Sequence, residues 1–181
     1  MIKLSWPELD ENEYNKDWEN AVEWSYSQWV EDQTDKTKII RTLFLHWYVY
    51  VEDMCKSLSD SQFLNRLKAI SSMGKENLHN DIDFQWLYGY VSSINPELFG
   101  EEADYSRVEL DGRQLIKTAL IKEPKNIFLQ MLEKGTGSLS KYTSWKKQNS
   151  KGLEEYSEAN FSGSTLFDEY FAEIIKSRNG K

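Results

Sequence analysis

The segment from residue 36 to residue 58 places the tightest limit on the fold. Ile40, Leu43, Phe44, Trp47, Val51, Met54 and Leu58 recur at helical spacing and align on one face, while Leu45 and Val49 lie on the other side. A helix that is apolar on more than one side has to be covered nearly all round. The spacing therefore predicts a central helix surrounded by others.

Those others are readable. Tyr14, Trp18, Ala21, Val22, Ser25 and Trp29 fall on one stripe and predict an N-terminal helix over about 8–32. Asp60 or Ser61 can cap a helix carrying Phe63, Leu64, Leu67 and Ile70 and ending at Gly74. Asp81 or Asp83 can start another with Trp86, Leu87, Tyr90, Val91 and Ile94, stopped by Asn95-Pro96. Tyr105 to Leu110 reads as a short strand or extended loop, after which Asp111 is expected to cap Leu115, Ile116, Ala119 and Leu120. Pro124 sits early in a helix carrying Ile127, Phe128, Met131 and Leu132 and ending at Gly135. The polar, basic stretch over about 136–152 reads as loop or marginal helix, and Leu166, Phe167, Tyr170, Phe171, Ile174 and Ile175 mark a last helix over about 165–177. Strand signals are otherwise nearly absent. The expected fold is all-α, a compact bundle of six to eight helices in a single domain over 1–181.

The aromatic share, 14% of 181 residues, argues against a disordered chain, which lacks the bulky groups that offset ordering entropy. One cysteine, Cys55, excludes an internal disulfide framework and suits a reducing cytoplasm. The start of the chain lacks the apolar core of a signal peptide, and the longest apolar run, residues 43–51, is too short to cross a bilayer, so no membrane partner is expected. A pI near 4.9 makes nucleic acid an unexpected partner, because phosphate binding needs a basic face.

The net charge of −8 is unevenly laid out. Residues 1–35 carry ten acids against Lys3 and Lys16, and residues 81–111 carry eight acids against Arg107. Residues 36–80 and 112–151 are net basic. The first block also holds four of the seven tryptophans. On its helical wheel Trp24 falls off the apolar stripe, among Asp17, Asn20, Gln28 and Glu31. An aromatic ring set among carboxylates has the makings of an anchor for a basic partner. The competing reading is that another helix or the C-terminal segment covers Trp24, as most tryptophans are largely buried. The candidate partner-binding residues are Asp17, Trp24 and Glu31 in this block, and Glu97, Glu101, Glu102 and Asp104 in the second.

Catalytic signals are thin. Glu76-Asn77-Leu78-His79 has metal-ligand spacing, but it is a single pair where a di-iron bundle needs two, so no metal is expected. His46 sits in the apolar central helix and reads as a core imidazole, and Cys55 as a small hydrophobe. No nucleophile elbow, P-loop or dinucleotide glycine pattern occurs, so no cofactor and no enzyme activity are expected. The basic run Lys141 to Lys151, with Tyr142 and Trp145, reads as a solvated surface or an internal partner for the acids.

The stretches Gly89-Tyr90-Val91-Ser92-Ser93-Ile94-Asn95-Pro96-Glu97-Leu98-Phe99-Gly100, Glu123-Pro124-Lys125-Asn126, Asn160-Phe161-Ser162-Gly163 and Phe167-Asp168-Glu169-Tyr170 resemble, in style, small acidic bacterial immunity proteins encoded beside polymorphic or contact-dependent toxins. The resemblance implies a role rather than a site: binding a cognate basic toxin domain, often a nuclease, and blocking its active site or groove. A helical adaptor or scaffold, with the charge blocks pairing within the fold or across a homodimer, is the alternative. An enzyme using His46 or His79 is the third reading.

Overall fold

The computed structural model describes residues 4–136, 139–163 and 165–177. Among these are ten α-helices and no strand: α1 Pro7–Tyr14, α2 Trp18–Glu31, α3 Lys36–Val51, α4 Asp60–Asn77, α5 Ile82–Ile94, α6 Tyr105–Lys122, α7 Ile127–Gly135, α8 Leu139–Gln148, α9 Ser150–Asn160 and α10 Leu166–Lys176. Single 3-10 turns, Pro96–Leu98 and Glu102–Asp104, join α5 to α6.

The all-round apolar pattern of α3 has its counterpart in two cores. Ile40, Leu43, Phe44 and Trp47 point into the larger one, with Trp86, Phe128, Phe167 and Phe171; Leu45 and Val49 point into a smaller one, with Leu9, Val22 and Phe63. Every residue from Ile39 to Trp47 is buried, including Arg41, Thr42 and His46.

Arg41 shows how a charge survives there. Its Nη1 donates to the Leu4 carbonyl at 2.6 Å and to Asp10 Oδ1 at 2.8 Å, and its Nη2 donates to Glu13 Oε1 at 2.8 Å. The other Glu13 oxygen accepts from the backbone N–H of Leu166 at 2.8 Å. Burial pushes the Glu13 carboxyl up against the pull of Arg41. This knot ties α1 and α10 to α3.

The expected helix over 8–32 is two helices. Lys16 takes a left-handed φ of 56°, and Asp17 caps α2 by accepting from the Asn20 backbone N–H. Asn15 and Asp17 offer the local side-chain hydrogen bonds that compete with helix continuation. The break also changes the buried face, and Tyr14, placed on the stripe by spacing, is 77% exposed. Residues 105–110 are the first turns of α6, not a strand or extended loop. The alternation of Val108 and Leu110 mimics a strand, but Gly112, Ile116 and Ala119 carry the helical stripe onward, and Asp111 lies mid-helix instead of capping.

Two glycines record close packing. In α4, Gly74 does not end the helix: an added Cβ would lie 2.2 Å from Phe84 Cε2, so the missing side chain admits α5. Gly89 of α5 and Gly112 of α6 meet so closely that a Cβ on Gly112 would lie 2.8 Å from the Gly89 carbonyl oxygen. The basic stretch 136–152 supplies α8 and the start of α9. No α8 residue is fully buried. Tyr142 and Trp145 lean on the larger core, and Lys146 donates to the carbonyls of Ile174 and Ser177 at the end of α10, at 2.9 and 2.6 Å.

Candidate functional site

The predicted residues form two sets. Asp17, Trp24 and Glu31 share one stripe of α2, spread over about 21 Å of helix. Asp17 is occupied as the cap, and Glu31 is exposed and accepts from Gln28 Nε2 at 3.1 Å. Trp24 is half-buried, with its ring centroid 5.0 Å from that of Trp6 and its body against the smaller core. Trp6 of the N-terminal segment lies against the ring, and the smaller core, to which α3 and α4 contribute, takes its body.

Neighbouring acids of the same block are drawn into the fold. Glu23 takes Arg66 at 3.0 Å. Glu19 accepts from the backbone N–H of Lys56 at 2.7 Å and of Ser57 at 3.0 Å, and from the Cys55 thiol at 2.9 Å. Those donors hold the Glu19 carboxyl at about 2. Burial, followed by the Glu19 hydrogen bond, pushes the Cys55 thiol up, so it stays protonated.

The second set stands out from the surface. Asn95 ends α5, accepts from Trp47 Nε1 at 3.1 Å and donates to Glu97 Oε1 at 2.9 Å. Pro96 starts the first 3-10 turn and Leu98 buries beneath it. Glu97, Glu101 and Glu102 are exposed and Asp104 is half-buried. Lys68 pairs with Glu101 at 3.0 Å and Arg107 with Asp104 at 3.1 Å; Glu97 and Glu102 have no ion pair among the described residues.

This loop separates two grooves. One, of about 510 Å³, has an apolar floor that includes Val49, Leu58, Phe63 and Leu98, and its charged lining is Asp53, Asp60, Glu97 and Lys56. Lys56 pairs with Asp53, so Asp60 and Glu97 remain without a counter-ion. Burial, and then Asp60 and Glu97, push the Tyr50 phenol up between them. The other groove, of about 610 Å³, sets Lys68, Lys75 and Arg107 against Glu101, Asp104 and Asp111 around Tyr88 and Phe99. Lys75 Nζ lies 5.1 Å from the Tyr88 ring centroid, and burial draws its ammonium down while pushing the Tyr88 phenol up to about 12. The first groove is net negative, the second balanced. Sequence reasoning missed Tyr50, Asp53 and Asp60, because only the turn after α3 brings them opposite Glu97.

The histidines stand apart from both grooves. His46 is fully buried, and desolvation holds its imidazole at about 3. Its Nδ1 faces the Thr42 carbonyl at 2.9 Å, and Nε2 has no partner among the described residues. His79 is exposed, 3.4 Å from the Glu76 carbonyl. Among the described residues no group of three or more His, Cys, Asp or Glu side chains is arranged to hold a metal, and no helix is long and apolar enough to cross a membrane. Comparison with family models, curated proteins and solved structures gives no match to this chain.

Proposed function

We propose that this chain is a non-enzymatic bacterial immunity or inhibitor protein that binds a basic toxin domain, with the 95–104 loop as its charged edge. The observation that carries the reading is the loop's placement: it holds Glu97, Glu101, Glu102 and Asp104 between two grooves, one of them lined by uncompensated carboxylates. Such a surface speeds association with a basic groove and makes the rate fall with ionic strength. The step from basic partner to toxin rests on the resemblance to immunity proteins.

The test is co-expression with the neighbouring reading frame, followed by growth and association-rate measurements. Relief of growth inhibition, lost or slowed about tenfold or more by the combined Glu97→Lys, Glu101→Lys, Glu102→Lys and Asp104→Lys changes, supports the proposal. Unchanged relief and an unchanged rate in that variant sink the loop as the site.

A second reading, a helical adaptor or scaffold with internal charge pairing, is favoured by one observation: Asp10, Glu13 and Glu23 of the first acidic block are already matched to Arg41 and Arg66. Light scattering at low and high salt addresses it, since salt-sensitive self-association belongs to the scaffold and not to a monomeric inhibitor.

A further inference from the structure

The C-terminal ends of α3 and α5 meet α10 in an aromatic cluster. Tyr48 and Tyr170 sit edge to face, with ring centroids 5.3 Å apart. Trp47 lies 5.5 Å from Tyr170 and 6.1 Å from Tyr90, and the Tyr90 and Tyr170 hydroxyls are 2.8 Å apart. All three tyrosines are half-buried, each with an apolar body packed and an edge toward water. One turn beyond Trp47 and Tyr90, Val51 and Ile94 are 43% and 47% exposed.

Glu52 follows Tyr48 by four residues, and Glu169 and Glu173 flank Tyr170 on α10, which packs edge to face on Tyr48; burial first, then the charges of Glu52, Glu173 and Glu169, push the Tyr48 phenol up. All three are exposed, and none has an ion pair or side-chain hydrogen bond among the described residues. The last turns of α3 and α5 contain no basic residue, so the negative ends of both helix dipoles are also uncompensated here. Trp47 Nε1 on Asn95 joins this face to the 95–104 loop.

We propose that the Tyr48–Tyr90–Tyr170 face, with Val51 and Ile94 at its edge, is the central docking surface for a basic protein segment that presents arginine or lysine side chains around an aliphatic anchor. The proposal rests on the reading of this chain as a binder of a basic partner, and moves the centre of that interface from the loop to the tyrosine face. Half-buried tyrosines at the middle of a patch, backed by the buried Trp47 and with charges at its margin, are the arrangement that concentrates binding energy. Charge selects the occupant. A second copy docked across a two-fold axis would set the same glutamates against each other, whereas a basic segment meets three free carboxylates and two helix C-termini.

The probe is a short amphipathic helix of arginine and leucine, titrated into the full chain at low and high salt with backbone amide shifts recorded. The expected shifts centre on Tyr48, Val51, Glu52, Ile94, Glu169 and Glu173 and weaken with salt. Val51→Ser with Ile94→Ser, at two exposed positions that leave the core alone, weakens binding by about tenfold. Glu52→Lys with Glu173→Lys does the same and flattens the salt dependence. Shifts centred elsewhere, or affinities of these variants within about twofold of the parent, overturn the tyrosine face. If the Glu97, Glu101, Glu102 and Asp104 reversals abolish binding while the tyrosine-face variants bind normally, the basic-partner reading stands and this inference falls. Absence of any binding overturns both.

Discussion

Residues 10–23 and residues 97–104 carry similar charge and have opposite fates. In the first, Asp10, Glu13, Glu19 and Glu23 each find donors within the fold: a sealed guanidinium, a second arginine, a turn of backbone N–H groups. In the second, two carboxylates have surface ion pairs and Glu97 and Glu102 have none among the described residues. A charge block in a sequence is thus two different objects, and what separates them is the solvent left around the carboxylates. In the first region removing Arg41 strands the buried charge of Glu13; in the second, removing a partner changes only the field outside.

The largest effect expected from this contrast is at Arg41. Arg41→Ala leaves Glu13 buried and unmatched and costs about 3–5 kcal/mol, read by chemical denaturation, whereas Arg107→Ala, at the surface pair with Asp104, costs about 0–1 kcal/mol. Equal costs would erase the distinction between the two acidic regions. Next is Gly112→Ala, which forces α5 and α6 apart where their backbones touch and costs about 1–3 kcal/mol. A loss near zero would mean that the helices yield there.

Acid should probe the interior through His46. The unfolded imidazole takes a proton near 6.5 and the folded one only near 3, so stability present above 6.5 is lost as pH falls toward 3. The slope is about 1.4 kcal/mol per pH unit within that window. It should be missing in His46→Leu when the two denaturation series are subtracted, whatever that variant's own stability. A common slope in both proteins would place water at the imidazole. The smallest effect is on the surface. Reversing Glu97 and Glu102 should change stability by less than about 0.5 kcal/mol while slowing association with a basic partner. A large stability loss would show that the loop carries structural weight after all.

The central helix was legible because its signal is internal to the segment: an apolar side chain on every face can be counted without knowing the neighbours. The same holds for the caps at Asp81 and for the ends at Asn95 and Gly135. What escaped depended on contacts from afar. Gly74 reads as a helix stop until Phe84 is seen to occupy its missing side chain. The α8 region looks like loop because its support, Lys146 on the carbonyls of α10, comes from 28 residues away. The Asp17–Trp24–Glu31 stripe was legible as a stripe, but not the ring of Trp6 laid against it. Tyr48, Tyr90 and Tyr170 each read as an ordinary helix residue, and only the packing of α10 against α3 and α5 makes them a face.

The hydrogen bond from Leu166 to Glu13 spans 153 positions of sequence. At ribosomal speeds of about 5–20 residues per second, α1 would wait about 8–30 s for its last partner. Until α10 arrives, the guanidinium of Arg41 sits beside a carboxylate with one oxygen unclaimed. The knot at Arg41 is therefore complete only once α10 has been made, so the N-terminal helix draws part of its fixing from the far end of the fold.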